Sequence, residues 1–117
     1  MTLNPTEVAH RVVDIASDLQ AEDIVLLDIR GQAIFADYFV IMTAGTDRQA
    51  RALRDDMVRR LKLAGVALNN REGGRGDSGW VLLDFGDVIV HIFGAEQREY
   101  YRLEELWSKA PQVVRIQ

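Results

Sequence analysis

Apolar residues recur near the start of the chain at Val8, Val12, Ile15, Ala16 and Leu19. Spacings of three and four put one stripe along a helix over about residues 5–20. Asn4 suits the N-cap, Pro5 the first helical position, and Glu7 completes a capping box. The period then changes. IVLLDI (24–29) and YFVIMT (38–43) are short runs rich in β-branched and aromatic residues. Both read as strands buried on two faces, joined through Gly31 as a hairpin. The helical period returns over about 47–64, where Ala50, Leu53, Met57 and Leu61 form the buried stripe. Thr46 and Gln49 offer a second capping box, and Gly65 is the residue expected just past the helix end.

Val66–Leu68 reads as a short third strand, followed by a glycine-rich loop over 72–79. WVLLDF (80–85) and VIVHIF (88–93) flank Gly86-Asp87, a strong hairpin signal. A last helix is expected from about Gln97 to Lys109, with Tyr100, Leu103, Leu106 and Trp107 inward or at a contact. Pro111 ends it, and the residues beyond are expected to be loose. The order α-β-β-α-(β)-β-β-α predicts an α+β fold, a mixed or antiparallel sheet of about five strands flanked by helices.

Composition narrows this picture. A chain of 117 residues, 48% of them hydrophobic, fits one domain, here 1–117, with a real core and no need of a staple. The absence of cysteine excludes a disulfide framework, a thiolate zinc site and a cysteine nucleophile. No basic region precedes an apolar stretch at the start, and no apolar run approaches the roughly 20 residues a bilayer needs. A soluble cytoplasmic protein is the expectation. The formal net charge of −4 argues against a protein that lives by gripping phosphates. Its distribution is uneven. Residues 1–30 hold six acids and two bases, whereas residues 46–75 hold eight bases and four acids. A solvated helix face is the plain reading of the basic stretch, and a patch facing an acidic partner surface is the alternative.

Short motifs carry little chemistry. Gly74-Arg75-Gly76-Asp77-Ser78-Gly79 matches GxGxxG, but it precedes a strand instead of opening a helix, so its amides cannot cradle a pyrophosphate. Arg75-Gly76-Asp77 spells an adhesion tripeptide without a secretory signal. Asp84-Phe85-Gly86 spells a kinase metal-binding tripeptide, yet Lys62 and Lys109 are the only lysines and neither is on a predicted strand. No cofactor is expected. His91, alone in a strand, reads as a satisfied structural residue, and His10 as a surface residue. Asp28, Asp37, Asp84 and Asp87 end strands or start turns, where short acids cap amides. Brought together they could bind magnesium, which keeps a metal-dependent nucleotide enzyme as a rival. Core packing is the plain reading of the large aromatics Trp80, Phe85, Tyr38 and Tyr101, but Trp80, at a strand's start after the glycine-rich loop, and Phe85, at a tight turn, stand where interface anchors occur.

Three segments go further. ADYFVIMTAGTDRQARAL (36–53), SGWVLLDFGDVIVHIF (78–93) and REYYRLEELW (98–107), with DIVLLDI (23–29), closely resemble the Iojap, or ribosomal silencing factor, family. The resemblance covers nearly the whole chain in order. It implies a nucleotidyltransferase-like fold lacking catalytic residues. It further implies a non-enzymatic protein that binds the large ribosomal subunit through its fourteenth-numbered protein. Binding there blocks association with the small subunit and represses translation under nutrient limitation. Carried residue by residue, it places the partner surface at Trp80, Phe85 and Asp87, with help from Tyr38 and His91. Where the family often has Gly and Asn, this chain has Ala44 and Gly45. An acidic domain is repelled by rRNA, so little direct nucleic acid contact is expected and no membrane contact. Two rivals stand beside this reading: a metal-dependent nucleotidyltransferase-like enzyme, and a homo-oligomer, at its simplest a homodimer, whose exposed aromatics serve self-association.

Overall fold

The computed structural model describes residues 3–73 and 79–117. The core of the glycine-rich loop, with most of its GxGxxG and adhesion-tripeptide matches, lies outside the described residues. Helix α1 spans Pro5–Asp18 and starts as its sequence requires. Asn4 Oδ1 accepts from the Glu7 amide at 2.8 Å, and Glu7 Oε1 accepts from the Asn4 amide at 3.0 Å. Helix α2 spans Asp47–Leu63, and Thr46 Oγ1 accepts from the Gln49 amide at 3.0 Å. The return bond goes one residue further back than a capping box places it. Gln49 Oε1 accepts from the Gly45 amide at 2.6 Å. The same carboxamide donates to the carbonyls of Leu19 at 3.2 Å and Gln20 at 2.9 Å, so it ties the start of α2 to the end of α1. Gly65, at φ +87°, ends α2 in the left-handed region, and the Val66 amide returns to the Leu61 carbonyl at 2.8 Å.

Six strands form one mixed sheet: β1 (Glu22–Asp28), β2 (Tyr38–Ala44), β3 (Asn70–Gly73), β4 (Trp80–Asp84), β5 (Val88–Gly94) and β6 (Gln112–Ile116). Their order is β3-β4-β5-β2-β1-β6. β2 and β5 are parallel, and every other pairing is antiparallel. Both expected hairpins are present. The parallel pair follows because α2 must cross over before β5 can return beside β2.

The pattern misplaces three things. The third strand lies at Asn70–Gly73, not Val66–Leu68. The C-terminal residues are not loose: Gln112–Ile116 pairs with β1 as an edge strand, anchored by the Asp28 amide donating to the Pro111 carbonyl at 3.0 Å. The last helix is broken into α3 (Ala95–Tyr101) and α4 (Leu103–Leu106) by Arg102, which is left-handed at φ 44°.

The sheet has two different faces. On the first, α1 contributes Val8, Val12, Ile15 and Ala16, and α2 contributes Leu53, Met57 and Leu61, against Ile24, Leu26, Val40, Met42, Leu83, Val90 and Ile92. This layer is almost entirely aliphatic, and each fully buried Leu or Ile stabilises it by roughly 1.5–3 kcal/mol. The second face carries Val25, Leu27, Phe39, Ile41, Ile89 and Phe93, covered by Leu103, Trp107 and the segment that joins β1 to β2. With only seven and four residues, α3 and α4 are too short to roof it. Along β4, Val81 and Leu83 are buried toward the first face, while Trp80, Leu82 and Asp84 stay partly exposed.

Candidate partner interface

Strand parity decides where each expected contact residue lies. Trp80 belongs to the second face and pairs across the ladder with Phe93, as Leu82 pairs with His91. Its indole packs on Tyr101 at 4.7 Å between ring centroids, on Phe93 at 5.1 Å and on His91 at 5.9 Å. A chain of ring contacts continues to the far side: His91 meets Phe39 at 4.7 Å, Phe39 meets Trp107 at 5.2 Å, and Trp107 meets Phe35 at 6.1 Å. Phe35 is 59% exposed and Tyr101 42%, and Ile34, Tyr100 and Leu106 are exposed beside them. The result is an aromatic platform, its centre buried and its rim open. Offset and edge-to-face ring pairs of this kind contribute about 0.5–1.5 kcal/mol each beyond area burial.

His91 lies under this platform, 4% exposed. Trp80 Nε1 donates to His91 Nδ1 at 3.2 Å, so the imidazole carries its proton on Nε2. That Nε2 has no hydrogen-bond partner among the described residues. The expectation of a satisfied structural histidine therefore holds for one nitrogen and fails for the other. Burial disfavours the charged imidazolium and holds the His91 pKa down to about 4. Protonation would also aim an N–H at the Trp80 N–H.

Phe85 and Tyr38 do not join Trp80. Phe85 shares the parity of Val81 and Leu83, is 8% exposed, and packs in the aliphatic core. Tyr38 is 4% exposed in the same core, its hydroxyl 2.8 Å from Thr6 Oγ1 and its ring 5.3 Å beneath the Arg30 guanidinium. Both side chains are largely buried. Asp87 is exposed at the β4–β5 turn, the opposite end of the hairpin from Trp80. Its carbonyl accepts from the Asp37 amide at 2.8 Å and the Tyr38 amide at 3.0 Å. Phe85 and Asp87 line an open depression of about 260 Å³ with Leu3, Pro5, Val66 and Val88. The five expected residues thus divide into a platform set, Trp80 and His91, and a turn set, Tyr38, Phe85 and Asp87.

The platform is positioned by two devices that sequence reading passed over. Gly79 precedes Trp80 at φ +66°, a left-handed conformation that favours glycine, and a Cβ there would have to push the end of the Gln97 side chain aside. Arg98 is the second. Only 9% exposed, it donates to Thr43 Oγ1 and the Asp23 carbonyl, both at 2.9 Å, and to both Glu104 oxygens at 3.1 Å. It thereby ties α3 and α4 to β1 and β2. Two of the turn acids cap amides as expected: Asp84 Oδ1 accepts from Gly86 at 2.7 Å and Asp28 Oδ1 from Arg30 at 3.0 Å. Arg30 also pairs with Asp28 at 2.7 Å and holds that carboxyl below the usual range. Among the described residues, no group of three or more His, Asp or Glu is placed to hold a metal ion.

Fold and site together define an α+β protein whose mixed sheet is sealed by helices on one side and presents aromatic side chains on the other. A sequence model of the family described as "Ribosomal silencing factor during starvation" matches residues 2–117. The chain belongs to the ribosomal silencing factor family. It is 36% identical over 109 residues to the ribosomal silencing factor RsfS of Bacillus subtilis, covering 93% of this chain and 92% of that one. It is 37% identical over 97 residues to the chloroplastic protein Iojap of Zea mays, covering 81% of this chain and 41% of that protein. A crystal structure of a Chromobacterium violaceum protein superposes with a TM-score of 0.86 at 31% identity, covering 96% of this chain and 94% of that one. One from Bacillus halodurans gives 0.78 at 32%, covering 93% and 98%.

Proposed function

We propose that this chain silences ribosomes without chemistry, by occupying the face of the large subunit that the small subunit must use. The partner on that face is the fourteenth-numbered ribosomal protein, and the setting is the cytoplasm under nutrient limitation. Family membership points to the ribosome. The half-open aromatic platform is the observation that carries the mode of action, because rigid aromatics at the rim of a buried cluster are what protein interfaces use as anchors. Among the described residues no helix is long and apolar enough to cross a membrane.

In this reading Trp80 is the anchor and Leu82 extends it along β4. His91 supports the indole from beneath. Asp87 supplies a second contact at the far end of the hairpin, held in place by the buried Phe85 and Tyr38. Exposed Glu96, Glu99 and Glu105 lie on the two helices next to the platform, and an acidic rim complements the basic surface common among ribosomal proteins. Inhibition then needs only excluded volume.

Co-sedimentation with isolated large subunits tests the proposal. The parent chain is expected to travel with the subunit. Trp80→Ala should weaken binding by about 2 kcal/mol, near thirtyfold, with the fold retained. Unchanged binding, or a loss of fold that accounts for the whole loss of binding, would sink the assignment of the interface.

A further inference from the structure

The platform leaves one strongly charged surface unused. Helix α2 carries six bases against three acids, a surplus of three positive charges in a chain whose formal net charge is −4. The buried stripe Leu53–Met57–Leu61 fixes the rotation of the helix. At 100° per residue, Arg48, Arg51, Arg59 and Lys62 then fall on the side turned to solvent, where all four are exposed. Arg59 is paired with Asp56, and the Asp55 carboxylate that interrupts the row is engaged by Arg54 at 2.8 Å. Arg48, Arg51 and Lys62 have no ion pair or hydrogen bond among the described residues. Three unpaired cations in a chain richer in acids than bases are not needed by the fold, which satisfies Arg98, Arg60 and Arg115 with carboxylates.

The stripe is also continuous with the proposed interface. Arg51 and Trp80 line the same pocket, of about 100 Å³, together with Thr46, Gly79 and Ala95 at the end of the sheet where α2 begins. From Arg48 the row runs to Lys62 over about 21 Å at the helical rise. A phosphate backbone presents charge continuously along such a length, and arginine is the side chain best matched to it. We propose that the outer face of α2 is an RNA-backbone contact, gripping rRNA that borders the protein partner while Trp80 engages that partner. This rests on the ribosome-docking reading above, and it replaces the expectation of little nucleic acid contact. Net charge concealed the site because acids on α1, α3 and α4 outnumber its bases.

Two measurements on the intact chain and purified large subunits test it. Removing three cations with Arg48→Gln, Arg51→Gln and Lys62→Gln should weaken binding about tenfold and lower the slope of log K against log salt by roughly 2 to 3. Glutamine at exposed helical positions keeps the fold. Because the chain has no cysteine, Ala52→Cys puts a single thiol in the middle of the stripe. A tethered iron chelate there should cut rRNA at one cluster of positions, and the same chelate at Lys109→Cys should not reproduce it. An unchanged salt slope in the triple variant overturns the proposal while leaving ribosome docking intact. Weaker binding with no rRNA cuts identifies an acidic protein surface as the partner and overturns the RNA assignment. If the parent chain does not bind large subunits at all, both readings fall together.

Discussion

The two faces of the sheet solve different problems with different side chains. Under α1 and α2 the layer is mostly aliphatic and, among the described residues, free of buried side-chain polar atoms that lack partners. Across the sheet the layer is aromatic, carries a buried histidine with an unmatched N–H, and is left open along β4. An aliphatic layer interlocks through many small contacts and gains most by being complete. An aromatic layer keeps large rigid surfaces in fixed poses even when it is half covered. The first face holds the fold, and the second is the face that the proposed function gives to a partner.

The sharpest way to break this contrast is to cavitate the closed face. Leu53→Ala, at a fully buried position on α2, should cost about 3–4 kcal/mol in denaturant unfolding, transfer and cavity terms together. Ribosome binding should fall only in proportion to the folded fraction. If binding is lost while stability is kept, the division of labour between the faces is wrong.

Acid should act through the open face. His91 has a folded pKa of about 4 against an ordinary 6.5, so between those values the unfolded chain binds a proton that the folded one refuses. Its contribution is therefore intact above pH 6.5 and is lost as pH falls toward 4, by roughly 3 kcal/mol in total. His91→Gln should flatten that part of the pH–stability curve. An unchanged slope would mean that the imidazole is not sealed beneath Trp80.

The smallest effect is expected at the rim. Phe35→Ala, at a residue more than half exposed, should change stability by no more than about 0.5 kcal/mol. It should weaken ribosome binding by about 1 kcal/mol if the rim belongs to the contact. A stability loss larger than the binding loss would return Phe35 to the core.

Much of this was legible in the chain because periodicity follows burial. α1, α2 and the strands β1, β2, β4 and β5 are each buried on at least one face, and their apolar spacing shows it. β6 was missed because Gln112–Ile116 is exposed at four of its five positions, so no alternation betrays an edge strand. The break at Arg102 was missed because an arginine takes the left-handed conformation usually signalled by glycine or asparagine. Phe85 is more deeply buried than its place at a tight turn suggests, and the strand shows why. Val81, Leu83 and Phe85 share one parity and Trp80, Leu82 and Asp84 the other, so the strand itself separates the buried aromatic from the exposed one. Phe35 and Trp107 meet only through tertiary packing, which no local pattern encodes.

The central claim is that this protein acts by occupancy. Titrating it against separated subunits and reading joined ribosomes by sedimentation tests that claim most directly. The account predicts that joining falls linearly until one copy is bound per large subunit. Added small subunit should compete the protein away, and ribosomes joined beforehand should be little affected. Complete inhibition far below stoichiometric amounts, or undisturbed joining at saturating protein, would contradict it.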